Sequence, residues 1–154
     1  MAPRNSSPKP CVLAIDDDEV LLGFLTAELE SRGYRVLTAA TPQSAIWLYE
    51  ERWREIDVVL LDFLLPPLSG DFVFDDLQRL NPDVRVVLLT GFEEPVADRM
   101  FQRGLRGYLK KPFKLADLAQ KVQDAIRTPS ASPTSPSSGS AQPPDDNPTM
   151  VSLL

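Results

Sequence analysis

Five short apolar runs, each followed by a segment whose apolar residues recur at helical spacing, constrain this chain more than any other feature. The runs occupy positions 11–15, 34–39, 58–61, 85–89 and 107–109. Near-continuous apolar strands of this length suit a parallel sheet buried on both faces. Strands that alternate with helices predict βα units, and so an α/β fold: a doubly wound, five-stranded parallel sheet with helices on both faces. The first helix is expected over 20–31, with Leu21, Leu22, Leu25 and Leu29 at helical spacing and Gly33 as its stop. Thr41-Pro42 opens a second helix reaching about Arg52, with Thr as cap and Pro at the first position. A third is expected over 70–80, ended by Asn81-Pro82, a fourth over 94–103, ended by Gly104, and a fifth over 114–126. Trp47 and Trp53 are read as packing residues of the second helix.

Everything outside positions 11–127 falls off this framework. Positions 1–10 are read as a flexible segment with basic residues but no apolar core, hence no signal peptide. Positions 128–154 are rich in Ser and Pro and lack Lys and Arg, which predicts a disordered tail, with the mildly apolar Met150-Val151-Ser152-Leu153-Leu154 read as its frayed end. Asp62 and Pro66 break the longest apolar stretch, so no membrane insertion is expected. A net charge of −6 argues against general affinity for nucleic acid. The single cysteine, Cys11, forbids an intrachain disulfide and fits a buried position in a reducing, cytoplasmic compartment. The absence of histidine removes imidazole acid–base chemistry, histidine metal ligands and any role as a phosphohistidine carrier.

The chemistry is concentrated where the strands end. Asp16 and Asp17 follow the first strand, Asp62 the third, Thr90 the fourth, and Lys111 stands just beyond the fifth. Carboxyl ends of strands are where open α/β sheets bind ligands. Asp18 and Glu19 read as the cap and first turn of the helix that follows. Asp16 and Asp17 abut the strand directly, and both cannot be caps. Three carboxylates converging on one pocket imply a hard cation. An acid pair, a lone Asp, a hydroxyl and an ammonium together suggest an aspartyl-phosphate site.

With these strings in hand the chain resembles the receiver domains of two-component response regulators, the CheY-like domains. The resemblance covers positions 11–127 and rests on Val12-Leu13-Ala14-Ile15-Asp16-Asp17-Asp18, Val58-Val59-Leu60-Leu61-Asp62-Phe63-Leu64-Leu65-Pro66, Gly70, Leu88-Leu89-Thr90-Gly91 and Tyr108-Leu109-Lys110-Lys111-Pro112-Phe113. It implies a flavodoxin-like fold and a domain without turnover that assists only its own Mg²⁺-dependent phosphorylation and dephosphorylation. Asp62 would be the phosphoacceptor. Asp17, Asp62 and the backbone carbonyl of Leu64 would bind Mg²⁺, with Asp16 acting mainly through water. Lys111, after which a cis proline bond is expected, would pair with one phosphoryl oxygen and Thr90 with another. Tyr108 would turn inward as Thr90 moves. The donor implied is a sensor histidine kinase or a phosphotransfer protein. The signal would leave for a downstream protein through the fourth helix, fifth strand and fifth helix, a face to which Arg99, Arg103, Arg106, Lys110 and Lys114 lend basic charge. Dimerisation on phosphorylation stays open.

The departures from the common pattern of the family remove no reactive group. Gly91 should leave the pocket open, Pro67 should stiffen the loop, and apolar Leu64 and Phe92 should hinder a hydrolytic water. Two alternatives to the stand-alone switch are a phosphate-independent adaptor and a receiver cut from a hybrid histidine kinase. A phosphohydrolase is disfavoured because the second acid such enzymes use is replaced here by Leu64.

Overall fold

The computed structural model describes residues 8–91 and 94–127, with the side chains of 92–96 undescribed. In chain order the elements are β1 (Cys11–Ile15), α1 (Glu19–Ser31), β2 (Arg35–Ala39), α2 (Pro42–Arg52), β3 (Val58–Asp62), β4 (Leu64–Leu65), β5 (Leu68–Ser69), α3 (Gly70–Leu80), β6 (Val86–Thr90), α4 (Glu94–Gln102), β7 (Gly107–Lys110) and α5 (Leu115–Arg127). Five parallel strands form one sheet in the order β2-β1-β3-β6-β7. The expected α/β architecture is therefore present, with each main element within one or two residues of its expected bounds. The expectations for Phe92 and for the tail lie outside the described residues.

The apolar runs read as strands because both faces of the sheet are covered. Leu13, Ile15, Val59, Leu61, Val86 and Leu88 pack with Ala45, Tyr49, Phe74, Leu77 and Met100, from α2, α3 and α4. Val12, Ala14, Leu60, Val87 and Leu89 turn the other way, to Leu25, Leu29, Leu118 and Val122 from α1 and α5. Alternation along each strand thus feeds two cores. Cys11 is fully buried, as expected, and burial raises its thiol pKa. Thr41 caps α2 in a reciprocal capping box with Ser44, and Pro42 takes the first position.

Two features differ from expectation. The segment after Asp62 is a two-stranded antiparallel hairpin, with Leu64 opposite Ser69 and Leu65 opposite Leu68, where sequence suggested only a loop. Trp53 packs on the core beneath the Arg54 guanidinium, 4.7 Å from its ring, but Trp47 points outward and is 62% exposed. The packing role assigned to Trp47 is therefore wrong. Ala45 and Tyr49 already fill that side of α2. Among the described residues no helix is long and apolar enough to cross a membrane.

Candidate functional site

In this strand order β1 leads out to β2 on one side and β3 leads on to β6 on the other, so the chain turns in opposite directions from the carboxyl ends of β1 and β3 and leaves a crevice between them. Asp16 continues β1 by one residue: its N–H donates to the Ala39 carbonyl at 3.1 Å. Its carboxylate is nearly fully buried, at 1% exposure. One oxygen accepts from the Asp18 N–H at 2.9 Å and the other from the Lys111 ammonium at 3.1 Å. Asp17 is exposed, and Asp18 caps α1 by accepting from the N–H groups of Val20 and Leu21. The cap role of Asp18 thus follows the sequence reading.

Asp62 closes β3 and is 5% exposed. The Lys111 Nζ lies 3.2 Å from its Oδ1. One carboxylate oxygen each from Asp16, Asp17 and Asp62 lie within 4.8 Å of one another. Burial first, and then the charge of Asp16, push the Asp62 carboxyl up to about 6, although Lys111 and the Leu64 N–H pull it down. Burial works against the Lys111 ammonium. Its hydrogen bond to Asp16 and the charges of Asp62 and Asp16 nevertheless outweigh that cost and raise its pKa.

Lys111 reaches these acids because of strand register. Thr90 faces Lys110 across the β6–β7 pair, and the Thr90 carbonyl accepts from the Lys111 N–H at 2.8 Å. The next residue follows a cis bond, Lys111-Pro112, as the resemblance implied. Thr90 is 2% exposed at the end of β6, one position past Leu89, the register partner of Asp62. Tyr108 on β7 is half-buried and meets Phe101 edge-on, with ring centroids 6.3 Å apart.

The hairpin sets the direction of the Leu64 main-chain groups. Gly70 donates its N–H to the Phe63 carbonyl at 2.6 Å. Bonded and non-bonded pairs alternate along an antiparallel ladder, so Leu64 opposite Ser69 is a non-bonded pair. Both main-chain groups of Leu64 therefore face away from the hairpin partner, and its N–H donates to Asp62. Gly70 itself was quoted in the sequence as part of a motif, without a role. A Cβ built there would lie 2.8 Å from both the Asp62 carbonyl oxygen and the Phe63 Cα, so only glycine fits against the strand end. The sequence signal was a glycine at the first helical position, directly after the cap residue Ser69, where a better helix former is the usual choice.

The expected basic face is only partly assembled. Arg103 pairs with Asp75 of α3 and its guanidinium lies over Phe74. Arg106 precedes β7, at the opposite end of the sheet from the acids, where burial and then the charge of Arg85 lower its pKa. Arg99, Lys110 and Lys114 remain exposed.

Known proteins place this arrangement. The model of the response regulator receiver domain matches residues 12–123. Sensor kinase CckA of Brucella abortus is 33% identical over 116 residues, 75% of this chain and 12% of that protein. The probable transcriptional regulatory protein TcrX of Mycobacterium tuberculosis is 34% identical over 118 residues, 75% of this chain and 49% of that protein. The chain thus spans half or less of these relatives. The crystal structure of a response regulator receiver domain protein from Clostridium thermocellum superposes with a TM-score of 0.73 at 31% identity, covering 77% of this chain and 94% of that one. Receiver domains are in general signalling modules without turnover of their own. With a matching family model over residues 12–123 of a five-stranded parallel sheet whose reactive groups gather at four strand ends, the chain belongs to the response regulator receiver domains of two-component systems.

Proposed function

We propose that Asp62 accepts a phosphoryl group from a phosphohistidine on a sensor histidine kinase or phosphotransfer protein, and that the resulting aspartyl phosphate is the signalling form. The observation that carries this reading is a buried Asp62 carboxylate held against Lys111 and beside Asp16 and Asp17. In the transfer, the donor's P–N bond breaks as a bond forms from an Asp62 Oδ to phosphorus, and the imidazole keeps the electron pair. Lys111 then turns its ammonium from the carboxylate to a phosphoryl oxygen. Thr90, at the neighbouring strand end, donates its hydroxyl to a second oxygen.

The residues fit Mg²⁺. Three carboxylates converge beside one ammonium, which pairs with Asp16 and Asp62, so the pocket is short of positive charge, and the carboxylate donors are hard oxygens. Bound Mg²⁺ supplies the charge that lets an anionic donor approach the acids. Asp17 and Asp62 would hold it with the Leu64 carbonyl. Asp16, whose two oxygens are taken by Asp18 and Lys111, would act through water. Output would pass through α4, β7 and α5, with Tyr108 following Thr90 between two packings.

Intact mass after incubation with acetyl phosphate and Mg²⁺ tests this. One phosphoryl adduct is expected, absent in Asp62→Asn and without metal. A folded, Mg²⁺-binding chain that gains no adduct would sink the proposal and favour the phosphate-independent adaptor. A second expectation concerns lifetime. Leu64 leaves no polar side chain two residues past Asp62 to orient water, so the isolated adduct should persist for many minutes, and Leu64→Asn should shorten it. Decay within seconds, or no response to Leu64→Asn, would contradict this.

A further inference from the structure

The surface between α2 and α3 holds a feature the phosphoryl chemistry does not use. An open groove of about 320 Å³ is lined by Pro42, Ile46 and Trp47 from α2, Leu68 from the hairpin and Val73 from α3. Trp47 lies along it with most of its ring in solvent. Phe72, one turn before Asp76 on α3, is a second large apolar side chain left exposed, at 55%. A large aromatic left open in a groove beside other apolar groups marks an interaction surface more than a solvated helix face. Tryptophan is among the residues that most often dominate interface energies.

The groove's charge narrows its occupant. Its ionisable lining residues are Glu50 and Asp76, and no basic residue lines it. Glu50 has no ion pair among the described residues. Asp76 is paired only with Arg79, a solvent-exposed neighbour on its own helix, and such pairs contribute little. The groove runs between two helices that pack side by side, a surface that accepts a third helix carrying apolar anchors one turn apart. The chain's own apolar end suits it poorly, since positions 128–154 carry Asp145 and Asp146 and no Lys or Arg.

We infer that the α2–α3 groove docks an amphipathic helix of a partner protein, with apolar anchors seated against Trp47 and Lys or Arg beside Glu50 and Asp76. This does not depend on phosphorylation of Asp62.

The test uses the full chain labelled with ¹⁵N and titrated with a Leu–Lys amphipathic helical peptide, with its Leu–Glu counterpart as control. The Trp47 indole cross-peak, assigned by its loss in Trp47→Ala, should shift saturably with the Leu–Lys peptide while that of Trp53 stays. Kd should rise at least about tenfold in Trp47→Ala and about fivefold in Glu50→Lys, the range of one interface anchor and one rim charge. A Trp47 peak that ignores the Leu–Lys peptide, an unchanged Kd in Trp47→Ala, or equal binding of both peptides would overturn the inference. So would a Trp47 shift on raising protein concentration alone, which would assign the groove to a second copy. A shift caused by the double substitution Leu153→Asp and Leu154→Asp without peptide would assign it to the chain's own end.

Discussion

Gly70→Ala is expected to cost the full chain about 2 kcal/mol of stability and to weaken Mg²⁺ binding, measured by urea unfolding and by metal titration. The added Cβ would sit 2.8 Å from the Asp62 carbonyl oxygen and from the Phe63 Cα. Both are backbone atoms at the end of a central strand, so no side chain can rotate away. Either α3 moves out, exposing Val73 and Phe74, or the strand end moves and takes the Asp62 carboxylate with it. The better helix propensity of alanine offsets less than about 1 kcal/mol of this. Gly91→Ala is the matched control. A Cβ at Gly91 meets nothing within 4 Å, so that variant should stay within about 0.5 kcal/mol of the parent. Equal stability of the two variants would show that the approach of α3 to Asp62 is not tight.

In metal-free buffer at pH 7 and above, Asp62→Asn should be more stable than the parent by about 3 kcal/mol, and the difference should shrink below about 1 kcal/mol near pH 4. The folded-state carboxyl is raised to about 6 from an ordinary value of 3.8. Between those values the folded chain holds a proton that the unfolded chain has released. Parent stability therefore falls as pH rises through that window and levels off above it. Asparagine keeps the shape without the charge, and other carboxylates titrate in both proteins, so the difference isolates Asp62. Lys111 keeps its partner Asp16 in the variant. Adding Mg²⁺ should narrow the gap above pH 6, because the ion stabilises the chain that binds it more tightly. A gap that is flat with pH, or an Asp62→Asn protein less stable at pH 8 without metal, would contradict the burial of an ionised Asp62 beside Asp16.

The sheet was legible because burial on both faces leaves uninterrupted apolar runs. The run Cys11–Ile15 matches its strand residue for residue. The acids were legible because they interrupt those runs at the strand ends. The hairpin after Asp62 was not, since Leu64, Leu65 and Leu68 show no alternation, Pro66 and Pro67 cancel their helical spacing, and each strand has only two residues. Trp47 misled for a related reason. Apolar residues at 45, 46, 47, 48 and 49 make a stripe too wide to tell the buried side of α2 from the open one. Its exposure depends on no described element lying over the α2–α3 groove. Arg103 was assigned to an output face because its turn toward Asp75 depends on helix neighbours far apart in sequence.

The ion pair between Lys111 and Asp16 joins positions 95 apart in the chain. It forms only when β1 and β7, at the third remove from each other in the sheet, are both in register with the strands between them. A molecule still being synthesised, or one whose last βα unit has come loose, carries the three acids without their ammonium. Local opening of that final unit would thus disarm the pocket before the rest of the sheet is lost. If Asp62 carries the signal as proposed, quality control is in this sense built into the pocket: competence would be restricted to molecules whose fold is complete.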